Sequence, residues 1–408
     1  VALPVQVVKT TGAAMSLPLA FTMTGARGGG SGQLAVGAGG SASRVVRAAV
    51  GGPGVATFVA TFGNVDRVER AVPVRAVGMP VAEQRAGSMA SDRELSFAGF
   101  PGGEHGQLLV TAWPGALAMV RNEVAAGGGG DSPWVGPGAS LSRQVYRVAL
   151  ATAAAELSKD DADPEVVRAL RLRAWQPVSR AGRAPGIATA CLLAEGLRAA
   201  PAGSIDADLR DRMRELVEDQ QAPDGTWVDG SGTIDQTLVL TALCTRAVDD
   251  TGVRLRAEGA FSRNLPRLDD PWLAAWALAS GAVADAELQG RLRDTLERGL
   301  ATGPDGNRQL RPGGAPRHDG TAASVADGTA VAALALASEP ALAAELATSL
   351  VGQHRGAGGP GAGCCVPAGG WGDGLTDLLA LRALETSFRG KLPASLTLVV
   401  EAGGVEVA

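Results

Sequence analysis

The chain has 408 residues, enough for two or three domains with cores of their own, and 57 of them are glycine. Its formal net charge is −5, and no basic cluster that would bind phosphate stands out along the sequence, which argues against a nucleic-acid partner. No uninterrupted apolar stretch reaches the ~18 residues that a membrane-spanning helix needs.

Residues 1–80 read as β. The runs LPLAFTMTG, GQLAVGA, SRVVRAAVG, GVATFVATFG and RVERAVPVRAVG are short, β-branched and separated by Gly-rich turns, which is the spacing of a β-sandwich. Residues 81–125 stay β in character but looser (ELSFAGFP, GQLLVTAWPGALAMV). The Gly-rich segments 27–40 and 125–138 read as linkers by composition. Helical sequence begins at Leu141, with Ser140 or Ser142 placed to cap the first turn, and runs to Phe388. Residues 391–408 return to β. A lone strand pair is unstable, and its most economical partner is the β segment before Ala125.

Within the helical region a unit recurs. Residues 220–244, QQAPDGTWVDGSGTIDQTLVLTALC, join the end of a charged helix to a Gly/Asp/Trp turn and then to an apolar helix starting near Ile234. A helix with almost no polar face has to be buried among other helices. Echoes follow at residues 184–200, 268–283, 319–338 and 369–388, spaced by roughly fifty residues, as in repeat architectures. Between them, DLRDRMRELVEDQ and AELQGRLRDTLERGL carry apolar residues at three- and four-residue intervals, as outer helices with one wet face do. Together these predict a two-layered helical ring.

Four cysteines are present. Cys191 and Cys244 lie in apolar helical runs and are expected as buried free thiols. Cys364 and Cys365 sit in a Gly/Pro loop, where they form either a disulfide or free thiols, and their spacing does not suit zinc. The three histidines, His105, His318 and His354, are far apart, so no metal site is expected. The chain opens on Val1 without a Met or a signal peptide, as a mature form or an excised fragment would.

The order of these segments resembles the alpha-2-macroglobulin and complement family. Three stretches carry the likeness: RVERAVPVRAVG followed by RELSFAGFPGGEHGQLLVTAWPG, the turn-plus-buried-helix repeats, and LTDLLALRALETSF with LPASLTLVVEAGG. The resemblance implies a multidomain β + α chain of bacterial type. Residues 1–80 would be a macroglobulin-like β-sandwich and 81–125 the first part of a CUB-like β domain. Residues 126–390 would be an inserted α/α toroid of the thioester-domain kind, and 391–408 the return strands.

Thioester members carry Gly-Cys-x-Glu-Gln at the head of the toroid, where the Cys thiol and the Gln side chain join. Here the corresponding stretch is GPGASLSRQ. Ser140 falls on the Gly, Leu141 on the Cys, Arg143 on the Glu and Gln144 on the Gln. Leu141 has no nucleophile, and no Cys precedes Cys191, so a thioester-less member is expected.

The expected function is a non-catalytic binding or scaffold protein of the bacterial envelope or surface. It would be periplasmic, outer-membrane-associated or extracellular, with protein partners and no cofactor. The alternative is a non-covalent protease trap, although no exposed bait segment is evident. A toroid enzyme is the remaining reading. QAPDGTW resembles the Gln/Trp motif of triterpene cyclases, but the pairs Asp160–Asp161, Asp249–Asp250 and Asp269–Asp270 do not form an Asp-x-Asp-Asp acid cluster, and 4% aromatics cannot line a carbocation cavity. Asp373 and Asp377 near Cys365 faintly resemble the zinc ligands of prenyltransferases without the His. His318, Asp319 and Ser324 share one loop and read as a solvated turn rather than a hydrolase triad.

Overall fold

The strands nearest the N-terminus alternate, and the alternation sets which faces meet. In the computed structural model, residues 2–50, 54–74, 119, 123–124, 140–157, 164–230, 232–304, 306–354, 369–387, 399, 401–402 and 405–406 are described. The chain divides into two units, residues 1–81 and 82–408.

Among its described residues the first unit holds seven strands in two sheets. β1 (Ala2–Val8), β5 (Ser41–Val50) and β3 (Ala26–Gly28) form one sheet in the order β1-β5-β3. β4 (Gly30–Val36), β2 (Met15–Thr24), β6 (Gly54–Phe62) and β7 (Asp66–Val74) form the other, in the order β4-β2-β6-β7. Every pairing is antiparallel. Along β6, Ala56, Phe58, Ala60 and Phe62 point inward by the two-residue period, and Phe58 stacks on Phe21 of β2 at 5.7 Å. Phe21, Phe58, Ala60 and Phe62 share a core with Leu19, Val36 and Val46, so the two sheets bury one another's faces.

The segment expected as a linker from residue 27 is part of this unit. The chain leaves β2 at Gly25, pairs with β5 as β3, and returns to the second sheet as β4. Gly25 (φ 78°) and Gly28 (φ 146°) each sit where a Cβ would strike a neighbouring backbone carbonyl, so glycine is what permits the crossing between sheets. Composition alone reads these glycines as flexible tether, whereas the fold uses them as corners. The second Gly-rich segment, 125–138, lies outside the described residues.

The second unit contains eleven helices among its described residues: α1 (Leu141–Leu157), α2 (Pro164–Ala181), α3 (Ile187–Gly196), α4 (Ile205–Asp219), α5 (Ile234–Ala247), α6 (Thr251–Arg263), α7 (Pro271–Ala279), α8 (Ala286–Arg298), α9 (Val325–Ala335), α10 (Pro340–Gln353) and α11 (Gly374–Ser387). A short hairpin, β8 (Leu300–Thr302) with β9 (Arg308–Leu310), precedes α9. The odd-numbered helices pack on one another in sequence, α1 on α3, α3 on α5, and so on to α11, which packs back on α1. The cycle is closed. Each even-numbered helix lies against the odd-numbered one before it, outside the cycle.

Burial follows the sequence pattern. In α5 every residue from Leu238 to Ala247 is buried, and in α11 every residue from Gly374 to Leu384. In α4 burial is confined to Asp206, Ala207, Leu209, Met213 and Val217, a stripe of about one residue per turn. Capping sharpens the helix starts. Thr233 and Ser324 form capping boxes with Gln236 and Asp327, and Ser204, Asp250, Asp270 and Asp285 each accept a backbone N–H.

The QAPDGTW motif ties the layers together. Gly225 adopts φ 82° in a turn where Asp224 accepts from Thr226 N–H and its hydroxyl. Gln221 Nε2 donates to Val253 O of α6, and Trp227 Nε1 donates to Val217 O of α4. The same turn recurs at residues 317–321, where Asp319 accepts from Thr321 N–H and its hydroxyl around Gly320 (φ 83°). Trp371 repeats the indole contact, donating to Leu350 O of α10.

Cys191 of α3 and Cys244 of α5 are joined in a disulfide, with Cα atoms 4.7 Å apart. The expected free thiols are corrected here. Their separation of 53 residues is about one repeat, so the two positions face each other on adjacent inner helices. A loop of that length predicts that Cys191→Ala with Cys244→Ala lowers stability by ~4 kcal/mol, read by urea unfolding of the oxidised protein against the variant. Because both sulfurs are buried, neither should be alkylated after reduction until the ring is unfolded.

Where the inner helices end, arginines gather. Arg246 of α5 donates to Ala279 O of α7 (2.7 Å) and pairs with Glu195 of α3 (2.7 Å). Arg382 of α11 donates to Gly196 O, and Arg198 to Arg246 O. Cations here offset the partial negative charge of helix C-termini. Against the upward push of burial, Arg246, Arg198 and Arg382 hold the Glu195 carboxyl below its usual value.

The expected pairing of residues 391–408 with the β segment before Ala125 falls on residues that are largely outside the description. Those described, Glu401–Ala402 and Val405–Glu406, pair with each other as β10 and β11.

Candidate functional site

The sequence singles out Leu141, Arg143 and Gln144, and all three lie in the first turns of α1. Ser140 O accepts N–H from Arg143 (2.9 Å) and Gln144 (3.2 Å), which fixes residue 141 as the first helical position. Leu141 is half-buried and packs on the ring core. No thiol is present at this position, and the sulfurs of Cys191 and Cys244 are bonded to each other.

Arg143 turns across the closure of the ring. Its guanidinium pairs with Asp377 of α11 and donates to Gly372 O at 2.7 Å. Asp377, fully buried, also accepts Trp371 N–H (2.6 Å) and Gly372 N–H (3.1 Å). Gly370 (φ 78°) stands where a Cβ would meet this carboxylate, so the turn ahead of α11 is built around it. Burial, opposed by Arg143, raises the Asp377 carboxyl to about 6.

Two further clusters flank the pair. Asp373 accepts from Leu375 N–H and Thr376 N–H (3.0 Å each) and pairs with Arg317, and Thr376 Oγ1 donates to Asp327 Oδ1 of α9 (2.7 Å). On the other side, buried Glu123 takes Tyr146 OH (2.8 Å), His354 Nε2 (2.6 Å) and Gly370 N–H (3.1 Å). Despite its burial, Glu123 is held below the usual carboxylate range by His354, Tyr146 and Gly370. Asp373 is likewise held down, against burial, by Arg317 and Thr376. Burial, reinforced by the Glu123 charge, pushes the Tyr146 hydroxyl well above its usual value.

The three helices α1, α9 and α11 thus meet in a network whose charges are paired. The side chain of Gln144 is buried, and its Oε1 has no hydrogen-bond partner among the described residues. Sequence reading found the α1 end of this site through Arg143 and Gln144. It noted Asp373 and Asp377 only as faint zinc ligands and missed Glu123, Arg317 and Tyr146. The signal that would have found them is two charged residues and a tyrosine hydroxyl in otherwise apolar or Gly-rich runs.

The residues weighed for enzymatic roles are engaged otherwise. Asp250 and Asp270 cap α6 and α7, and Asp249 pairs with Arg214 and Arg254. Ser324 Oγ bonds Asp327 rather than His318, and Asp319 is taken by Thr321. Among the described residues no three His, Cys, Asp or Glu side chains are grouped to hold a metal ion. Asp160, Asp161, His105, Cys364 and Cys365 lie outside the described residues. No described helix is long and apolar enough to cross a membrane.

No protein family and no curated protein matches the sequence. Among solved structures, the chain is similar to Salmonella alpha-2-macroglobulin reacted with methylamine, at 14% identity and a TM-score of 0.46, over 95% of this chain and 26% of that one. It is also similar to trypsin-activated alpha-2-macroglobulin from Escherichia coli, at 13% identity and a TM-score of 0.35, over 95% of this chain and 27% of that one. The chain therefore spans about a quarter of the length of these bacterial alpha-2-macroglobulins.

Proposed function

We propose that the chain is a thioester-less, alpha-2-macroglobulin-like binding or scaffold module of the bacterial envelope, its helical ring an α/α toroid of the thioester-domain kind. One observation carries the reading. At the head of α1, where covalent capture requires a thiol beside a free amide, Leu141 packs inward and Arg143 is committed to Asp377. A position filled by an aliphatic side chain and a closed ion pair serves rigidity, not acyl transfer.

The buried disulfide supports an oxidising compartment, the periplasm or cell exterior, since such bonds rarely persist in the cytosol. Protein partners are the reading that the charge balance favours, and the module is non-catalytic.

Methylamine, which opens an internal thioester, is expected to leave the intact mass unchanged; a single methylamine adduct would sink the proposal. Crosslinking mass spectrometry on protein from its native source should then give crosslinks from the ring to other envelope proteins in fixed ratio. Capture of assorted proteases only after cleavage of the chain would replace the scaffold with a non-covalent trap. Turnover of an isoprenoid would replace both with an enzyme.

A further inference from the structure

Along the sequence the arginines of residues 168–183 look scattered: Arg168, Arg171, Arg173, Arg180 and Arg183, with no acidic residue between them. Helix α2 gathers them. At 100° per residue, Leu170, Ala174 and Val178 form the buried stripe, and Arg168, Ala169, Leu172, Arg173, Gln176 and Arg180 fall on the opposite arc. Arg183 follows just beyond the helix and is exposed. Arg171, at the edge, is consumed by buried Asp206. Glu165 in the first turn, 4.0 Å from Arg168, is the one described acid on the exposed arc of α2.

We infer that this face of α2 is a docking surface for a plane of anionic lipid headgroups. Three exposed guanidiniums, Arg168, Arg173 and Arg180, stand along ~18 Å of helix with Arg183 just beyond it, in a chain whose net charge is −5, so the charge is local to this face. Between Arg168 and Arg173 the apolar side chain of Leu172 (62% exposed) projects outward, which nothing in the ring core requires.

The row lies on a helix of the outer layer of the ring. A groove of about 710 Å³ opens elsewhere, between Leu265, Leu268, Leu292 and Arg298, and α2 does not border it. A row of cations on an outer helix that borders no groove suits a charged plane better than a peptide, which would want a cleft. The neighbouring α4 mixes signs, Arg210, Arg212 and Arg214 against Asp208, Asp211, Glu215 and Asp219, and offers no such surface. This inference goes beyond the scaffold reading and stands without it.

The test is co-sedimentation of the full chain with vesicles of phosphatidylglycerol in phosphatidylcholine, against phosphatidylcholine alone. Binding is expected only to the anionic vesicles, and to weaken steeply with salt. With each arginine contributing about a fivefold factor, the quadruple variant Arg168→Gln, Arg173→Gln, Arg180→Gln, Arg183→Gln should bind at least ~100-fold more weakly. Neutralising Arg212, Arg267, Arg291 and Arg311, all exposed elsewhere, should cost far less.

Far-UV circular dichroism checks that each variant is folded. If the quadruple variant is not, the pairs 168/173 and 180/183 are neutralised separately, each expected to cost ~25-fold. Absence of binding to anionic vesicles, or equal loss in the two quadruple variants, would overturn the inference. So would stripe-dependent binding of polyglutamate without binding to vesicles, which would mark an acidic protein as the partner.

Discussion

Gly374→Val should open the ring. Gly374 begins α11, and a Cβ built on it falls inside the contact radii of Arg143 N and the Ser142 carbonyl carbon in the first turn of α1. Both are backbone atoms of a helix fixed at its other flank by α3, so neither can step aside as a flexible side-chain tip would. Overpacking a closed core costs ~1–3 kcal/mol when side chains can give, and more when they cannot. The expected loss is at least about 3 kcal/mol, with the closure of α11 on α1 broken first. Urea unfolding followed by far-UV circular dichroism measures it. Gly290→Ala is the matched control. Gly290 is exposed in α8 with nothing within 4 Å of its would-be Cβ, and alanine there should stabilise by about 0.5–1 kcal/mol. Equal stability of Gly374→Val and the wild type would mean that the two helices do not approach as described.

The second large effect is expected at Arg143. Removing one member of a buried ion pair strands the other, typically at ~3–5 kcal/mol. Arg143→Ala leaves Asp377 with no exposed surface and no countercharge in contact. Replacing both, Arg143→Met with Asp377→Leu, should recover much of the loss, because the pair's desolvation disappears with it. A double variant as weak as Arg143→Ala would show that shape or the Trp371 and Gly372 N–H groups, not charge, dominate.

The same residue sets a pH dependence whose sign is unusual for a carboxylate. Between its ordinary value of 3.8 and about 6, Asp377 binds more protons in the folded than in the unfolded chain, so its contribution to stability falls as pH rises through that window. Glu123, Glu195 and Asp373 run the other way. Held below their ordinary values, they contribute stability that is complete above the usual carboxylate range and lost as the solution is made more acid. Asp377→Asn should therefore raise the melting temperature near pH 7 relative to its value near pH 4, compared with the wild type. An unchanged profile would mean that Asp377 keeps its charge throughout.

The layering of the helices was legible because buried and half-buried helices differ in composition as well as period. TLVLTALC of α5 has no side to show to water, whereas RDRMRELVED of α4 has one. The QAPDGTW turn was legible too, since Asp, Gly and Thr have few other reasons to stand together. What stayed hidden were pairings across the chain. Cys191 and Cys244 read as thiols because nothing local says that 53 residues span one repeat. Arg143 and Asp377 lie 234 residues apart, and only ring closure makes them neighbours. Arg27 to Gly40 looked like tether because composition does not distinguish a corner from a coil.

A linear stack of helical pairs frays, because its terminal units each lack one neighbour. The helical cycle here, sealed where α11 meets α1, has no such ends. Detaching any inner helix means breaking two lateral interfaces at once, so partial opening costs more than in an open array of equal size. Amide hydrogen exchange in the inner helices should accordingly be slow and nearly uniform around the circle, with exchange through one shared global opening rather than from a weak terminus inward. For a binding module of the kind proposed above, that evenness is the property a partner would rely on: the surface it docks against would be present almost all of the time.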